Sequence, residues 1–352
     1  MPGVPGEKGR FVQRDEKRLD EGVGAGVEPT VSVLIVGYRS RGDIDACLSS
    51  LLKHGDGERD EVLFVDQSDD GSAAYLRAAY PSVRVIESAG NLGFAGGNNY
   101  LAAQARGRYL LLLNPDTELE HDAIGALLRC VADRPGAGAW GGVTVLPDGR
   151  RDPTSNQARP GLMGELMLLV GLGWLRRGGV RMGASEPAEV AVLSGAFMLV
   201  ERETWAAIDG FDTSYFLYSE EVDLCQRAAR HTGGACVMTP SARVVHRVGG
   251  SAATSGRRAA AIARGKMHWA WTWRGGGYAA RLGMLIVAHA WTRWLAYSLL
   301  GKRQRAARYR EVWRSAATWW SGYPRDGVAQ DPRPGDEVGL GEAAPGSGGV
   351  VA

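Results

Sequence analysis

Three short stretches carry side chains whose types and spacing could act on a substrate. Asn114-Pro115-Asp116 follows the run Tyr109-Leu-Leu-Leu-Leu113, so Asp116 stands where a buried strand ends and a carboxylate can turn into a crevice. A hard cation such as Mg2+ takes oxygen ligands and keeps substrate phosphates in its shell, so one or two protein carboxylates suffice. The plainer alternative is an Asn-Pro-Asp turn that only ends the strand. Ser219-Glu220-Glu221-Val222-Asp223 opens a helical stretch, where acids ordinarily complement the helix dipole. Phe211, Tyr215, Phe216, Leu217 and Tyr218 crowd in front of these acids. Such an apolar collar raises a carboxylate's pKa toward the range of a general base. His246 follows Val244-Val245 at another strand end, where a neutral imidazole can complete a metal shell, although most lone histidines are not ligands. The glycine-rich Gly90 to Gly97 neither follows the first strand nor has G-x-G-x-x-G spacing, so a dinucleotide loop is discounted.

The elements that must position these groups follow from periodicity. Val31 to Val36, Glu61 to Val65, Val83 to Ile86 and Tyr109 to Leu113 read as short buried strands. Ile44 to Leu52 and Ser72 to Ala79 read as helices between them, and the glycine-rich loop leads into a third reaching Arg106. Strands alternating with helices argue a parallel α/β sheet whose ligands bind at the carboxyl ends of the strands, where Asp66 and Asp116 lie. After a helix near Asp122 to Ala132 the strict alternation stops. Pro147 to Pro187 is a long connection, with a strongly apolar piece from Leu162 to Leu175. A second pass comprises Val190 to Val200, helices over Glu203 to Ile208 and Glu220 to Arg230, and a closing strand Val237 to His246. The polar stretch 1–28 is expected to be a flexible leader. The segment 322–352, with twelve Gly or Pro in thirty-one residues, is expected to be a disordered tail.

The 352 residues carry a net charge of +2, but the charge is unevenly distributed. Between Ser241 and Trp320 fifteen basic side chains face one acid, Glu311, and eight of the eleven tryptophans lie in the same stretch. The rest of the chain is correspondingly acidic. A basic, aromatic segment suits a membrane surface or nucleic acid, and nothing resembles a nucleic-acid-binding module. Leu282 to Leu300 is apolar but holds His289 and Arg293, which fits an interfacial helix better than a spanning one. The alternative is a helical cap on the rest of the fold with solvated arginines. Four widely spaced cysteines, with no zinc spacing, point to a reduced, cytosol-facing protein. The first thirty residues lack an apolar run, so no cleaved secretory signal is expected.

Taken in order, eight segments resemble the family 2 inverting glycosyltransferases of the GT-A type. They are Val31 to Tyr38, Val65 to Ser72, Asn91 to Asn98, Leu113 to Asp116, Ser194 to Leu199, Gly210 to Asp212, Tyr218 to Cys225, and Val245-His246. Within the family they are most similar to the bacterial rhamnosyltransferase branch that acts on polyprenyl-linked glycans. The resemblance implies a mixed α/β sheet flanked by helices over residues 29–250; the basic, Trp-rich stretch 251–321 lies mostly beyond it and is expected, from its composition, to be a helical extension that associates with a membrane. It implies that Gly37 and Tyr38 line the base pocket of a nucleotide-sugar donor and that Asp66 reads the base edge, with Asn91 and Gly93 in the donor-side loop. Asn114 and Asp116 fall where the family has its metal-binding Asp-x-Asp, so Asp116 would be the direct ligand of Mg2+ or Mn2+, joined by His246. Ser194-Gly195 would form the wall between donor and acceptor. Glu221 matches the position of the acceptor's base, with Glu220 as its neighbour and rival. Asn114, Gln67 and Glu221 each replace the residue usual there. The implied activity is transfer of a sugar, L-rhamnose from dTDP-rhamnose in that branch, to a membrane-associated acceptor at the cytoplasmic leaflet. A soluble tailoring enzyme and a non-catalytic nucleotide-sugar-binding protein are the alternatives.

Overall fold

The computed structural model describes residues 29–55, 60–88, 90–152, 155, 158–173, 186–247 and 256–324. The expected leader and nearly all of the expected tail lie outside the described residues. The first half forms a βα alternation: β1 (Val31–Gly37), α1 (Ile44–His54), β2 (Asp60–Asp66), α2 (Ser72–Ala79), β3 (Val83–Ile86), α3 (Gly93–Ala102) and β4 (Tyr109–Leu113). Then come β5 (Thr117–Leu119), α4 (Ala123–Asp133), β6 (Trp140–Val145), α5 (Leu162–Leu169), β7 (Ala188–Val190), β8 (Phe197–Glu201), α6 (Arg202–Ala207), α7 (Glu220–Thr232) and β9 (Cys236–His246). Four helices close the described chain: α8 (Gly256–Arg274), α9 (Gly276–Leu299), α10 (Arg303–Arg314) and α11 (Ala316–Trp319).

The strands form one sheet in the order β3-β2-β1-β4-β8-β6-β9-β5, with β7 also on β9. β1 to β4 pair in parallel, as the alternation predicts, whereas β8 runs antiparallel to both β4 and β6. The sheet is therefore mixed. β4 is central and buried throughout, and its side chains alternate between faces. Leu110 and Leu112 enter the core that also holds Val222, Leu224, Met267 and Trp269 of α7 and α8. Leu111 and Leu113 enter the core with Ile44 and Leu48 of α1 and Ile124 and Leu127 of α4.

Several boundaries differ from the sequence reading. α3 starts within the glycine-rich stretch and ends at Ala102, short of Arg106. The apolar run from Val190 to Val200 is broken into β7 and β8. β5 and β6 were not anticipated. In β6 the signal is masked by Gly141 and Gly142, and packing explains Gly142: a Cβ there would sit 2.3 Å from the Ala242 carbonyl oxygen of β9 and 2.7 Å from the Phe197 ring. No β-branched side chain fits where the two strands press together.

Most tryptophans of the basic segment turn inward. Trp269 and Trp319 are buried in the core beneath the sheet, and Trp271, Trp273, Trp313 and Trp320 pack against it. What remains exposed is apolar in a different way. Among the described residues, nine of the ten exposed large hydrophobic side chains lie in 163–172 and 284–300, including Met163, Val170, Met284, Trp291 and Leu299. α5 and α9 pack against each other, with Leu162 N–H donating to Tyr278 Oη and Arg293 donating to the Leu168 carbonyl at 2.8 Å. These residues therefore form one ridge.

Candidate functional site

The carboxyl ends of β1, β2 and β4 open on one side of the sheet, and the connections there are tied to each other. Gly37 ends β1 with its carbonyl accepting from Gln67 N–H at 2.8 Å, and a Cβ at Gly37 would meet the Phe64 ring. Tyr38 follows, half-buried, and Arg39 takes a left-handed backbone with φ of 52°. Asp66 ends β2. One of its oxygens accepts from Ser68 N–H and Oγ at 3.0 Å, and the other from Ala73 N–H at 3.3 Å. The carboxylate thus also holds the turn into α2, a structural duty that the reading of Asp66 as a base-edge contact did not include. Ser68 Oγ and Asp70 in turn accept from the backbone of Arg39 and Arg41, locking the first two loops together.

Gln67 does more than stand in for a usual asparagine. Its Oε1 accepts from Leu92 N–H at 2.5 Å and its Nε2 donates to the Gly93 carbonyl at 3.1 Å, so it grips the start of α3 at two points. Asn91 Oδ1 accepts from Gly93 N–H at 3.0 Å, closing the turn. Gly93 has φ of +69°, and a Cβ there would lie 2.5 Å from the Phe216 carbonyl. Only glycine fits against the aromatic collar at this position. Phe94 N–H donates to that same carbonyl.

At the end of β4, Asn114 N–H donates to the Ala196 carbonyl, which places Gly195 beside it, and a Cβ on Gly195 would meet the Phe94 ring at 2.9 Å. Three residues on, β5 pairs with β9 so that Thr117 lies opposite His246. This brings the predicted ligands together: His246 Nε2 is 3.2 Å from Asp116 Oδ1 and 3.4 Å from Asn114 Nδ2. The other ring nitrogen, Nδ1, donates to Asp152 Oδ2 at 2.7 Å. Burial alone would lower the pKa of His246, but the Asp116 and Asp152 carboxylates outweigh it and carry the value up to about 9. Asp152 lies in the long connection and carried no sequence signal; register and burial alone reveal it.

Among the described residues, no group of three or more His, Cys, Asp or Glu side chains is arranged to hold a metal ion by itself. The pair Asp116 and His246 nevertheless fits one. Neighbouring ligands on an octahedral cation at 2.0–2.1 Å lie about 3 Å apart, close to the 3.2 Å between Oδ1 and Nε2. The Asn114 amide oxygen comes within reach on a flip of the side chain, which changes no heavy-atom position appreciably. Nε2 faces Asp116 and is the nitrogen a cation would take, while Nδ1 faces Asp152.

The acid pair begins α7. Tyr218 and Ser219, immediately before it, both have left-handed backbones, with φ of 71° and 73°. Two consecutive non-glycine residues in that region mark a strained approach, of a kind that clusters at functional sites. Glu220 and Glu221 are both buried. Glu220 Oε2 has no hydrogen-bond partner, and burial, then the charge of Glu221, raises its carboxyl well above the usual range. Asp223, the third acid, is a fastening: it pairs with Arg227 and accepts from Trp273 Nε1 at 2.8 Å. Asn99 bonds both the N–H and the carbonyl of Phe211, fixing the turn that leads into the collar. The acid end of α7 is linked to the Asp116 end of the sheet through Phe216, Phe94 and Gly195.

Comparison with known proteins places this arrangement. Residues 32–206 match the model of glycosyl transferase family 2. The N-acetylglucosaminyl-diphospho-decaprenol L-rhamnosyltransferase of Mycobacterium tuberculosis (strain ATCC 25618 / H37Rv) is 33% identical over 202 residues, covering 53% of this chain and 66% of that protein. Rhamnosyltransferase WbbL of Escherichia coli (strain K12) is 24% identical over 205 residues, 56% of this chain and 76% of that one. Among solved structures, mannosyltransferase PcManGT from Pyrobaculum calidifontis, in complex with GDP-Man and Mn2+, superposes with a TM-score of 0.53 at 18% identity, over 84% of this chain and 86% of that one. That likeness supports the fold, a GT-A type mixed sheet with helices on both faces. The family match begins in β1 and runs through the Asp66, Asp116 and Gly195 positions to α6, and on these grounds the chain belongs to glycosyl transferase family 2.

Proposed function

We propose that the protein is an inverting, divalent-metal-dependent glycosyltransferase that moves a sugar, L-rhamnose from dTDP-rhamnose being the first candidate, onto a lipid-linked glycan. The observation that carries this reading is the meeting of Asp116 and His246, 3.2 Å apart, at the carboxyl end of β4. The names of the two rhamnosyltransferase relatives supply the donor sugar, and the mycobacterial name supplies the lipid-linked acceptor.

In this reading the loops after β1 and β2 hold the nucleoside, with Gly37 and Tyr38 along the base and Asp66 at its edge. Asn91 and Gly93, in the turn that Gln67 grips at Leu92 and Gly93, close over the donor. Asp116 and His246, with Asn114 beside them, would hold Mg2+ or Mn2+ on the diphosphate side of the donor, where such an ion would supply Lewis-acid stabilisation of the leaving charge. Gly195 leaves room for the acceptor to approach the anomeric carbon. Glu221 takes the proton of the acceptor hydroxyl as the oxygen attacks from the face opposite the diphosphate, which inverts the anomeric centre. Glu220, whose carboxyl is held toward the neutral form, keeps a second negative charge from that pocket and remains the rival for the same role.

The acceptor lies at a membrane in this account, and the enzyme sits peripherally on the inner face. No helix among the described residues is long and apolar enough to cross a membrane. The α5–α9 ridge presents Met163, Met284, Trp291, Leu295 and Leu299, and the exposed Lys302, Arg303 and Arg305 follow directly at its end. An apolar ridge edged by cations matches an anionic bilayer surface. The test is release of nucleoside diphosphate from a panel of nucleotide sugars with Mn2+ and a polyprenyl-diphosphate-linked acceptor. Turnover of one donor, dependent on metal and acceptor, is the expected result; nucleotide binding without turnover would leave a binding protein instead.

A further inference from the structure

We propose that Asp152 is a positioning residue that fixes which nitrogen of His246 faces the donor's diphosphate and its cation. This rests on the reading of Asp116 and His246 as donor-side ligands, and adds to it a residue from a stretch outside the motifs that carry that reading.

The backbone builds Asp152 into place. After β6 the chain turns back on itself: Leu146 N–H donates to the Arg150 carbonyl at 2.7 Å, and Val145 bridges Arg151. Asp152 N–H then donates to the Thr144 carbonyl at 3.0 Å, and the Asp152 carbonyl accepts from Ser155 N–H at 3.0 Å. Ser155 Oγ accepts from Thr144 N–H at 2.9 Å, so the returning strand is fastened on both sides of Asp152. β6 and β9 are parallel neighbours, with Thr144 opposite Val244. The turn therefore delivers the Asp152 carboxylate behind the His246 ring, where it is 1% exposed.

A buried carboxylate is a costly way to fill space, and an apolar side chain of similar volume is often at least as stable. What a carboxylate does that an apolar group cannot is hold a proton on one particular imidazole nitrogen. Here it holds Nδ1, at 2.7 Å, with Thr144 Oγ1 at 3.4 Å on the same carboxylate oxygen. A ring fixed in this way can present only Nε2 to Asp116 and Asn114. Carboxylates placed behind ligating histidines fix ring orientation and increase ligand basicity, and losing them typically weakens metal affinity by roughly 10–100-fold.

The experiment is a Mn2+ titration of the full chain with dTDP present, read from the electron paramagnetic resonance signal of free Mn2+, for wild type, Asp152→Asn and His246→Ala. Expected is roughly 10–100-fold weaker Mn2+ binding in Asp152→Asn, with its circular dichroism and its melting temperature in EDTA close to wild type. Unchanged Mn2+ affinity in a folded Asp152→Asn protein overturns the proposal while leaving the Asp116–His246 reading intact. A wild type that binds no Mn2+ overturns both. Nitrogen-15 spectra of His246 in the wild type with Mg2+ and dTDP stand independently of how the variant folds. A protonated Nδ1 with a free or ligated Nε2 is expected, and the opposite tautomer contradicts the proposal.

Discussion

Trp273 of α8 donates its indole N–H to Asp223 Oδ1 at 2.8 Å, which bolts the tryptophan-rich segment to the helix carrying Glu220 and Glu221. Arg230 of the same helix stacks over that indole at 4.3 Å from its centre. Farther along the two helices, Trp269 Nε1 donates to Gln226 at 3.2 Å. Most indoles of the basic segment thus pack into the fold as a cap would, and the exposed ridge of α5 and α9, Trp291 included, is the part left free to meet a surface.

Replacing Trp273 by Phe should cost about 1–3 kcal/mol, because the bond to the charged Asp223 is lost while most of the ring remains. Trp313 provides the contrast, since its buried indole N–H has no partner. Trp313→Phe should cost less by about 1 kcal/mol or more. Denaturant midpoints at constant m-value measure both, and equal costs would show that the Trp273 bond contributes nothing.

Glu220 gives a pH dependence with a definite sign. Its folded-state pKa is raised above the ordinary value of 4.5. Its contribution is therefore fully present below about pH 4.5 and is lost as pH rises through the folded value. Glu220→Gln should match wild-type stability near pH 4 and gain a growing advantage toward neutrality, roughly 1–3 kcal/mol or more once wild type is ionised. Melting temperatures of the two proteins across that range decide the matter; an advantage at pH 4 that fades with rising pH has the wrong sign.

Gln67→Ala removes both grips on the start of α3, at Leu92 and Gly93. Two hydrogen bonds are worth about 1–3 kcal/mol together, and the loop they order covers the donor in this account. The expected effect is a KM for the nucleotide sugar raised about tenfold with a smaller change in kcat. A change confined to kcat would move Gln67 away from donor binding.

The ridge makes a prediction about lipid. Lys302, Arg303 and Arg305 changed together to Ser should weaken binding to anionic vesicles by about 1 kcal/mol per charge, near a hundredfold in all. Leu295→Asp with Leu299→Asp should abolish it. Co-sedimentation at low and high salt reads both, and equal binding to neutral vesicles would remove the electrostatic part of the account.

How much of this was legible in the sequence depended on whether a residue's role was local. β1 to β4 and α7 could be read from apolar runs, and Asp66, Asp116 and His246 from strand ends. β6 was hidden because Gly141 and Gly142 answer to their neighbours, Leu193, Phe197 and Ala242, rather than to strand propensity. Asp152 was hidden for a similar reason: its partner lies 94 residues away, across a parallel strand pair that only the folded sheet creates. Gln67 looked like a departure from a pattern, and its grip on the glycine-rich turn became visible only once that turn was seen to fold back over β2.

In the proposed function, donor binding and proton removal reside on different groups, Asp116 with His246 on one side and Glu221 on the other. The most direct test of this division is to measure donor binding by calorimetry and sugar transfer by product formation for Glu221→Gln and Asp116→Ala side by side. Glu221→Gln is expected to bind the nucleotide sugar with Mn2+ as wild type does yet to lose transfer by at least a hundredfold, whereas Asp116→Ala is expected to lose metal-dependent binding itself. Full transfer activity in Glu221→Gln would contradict this division.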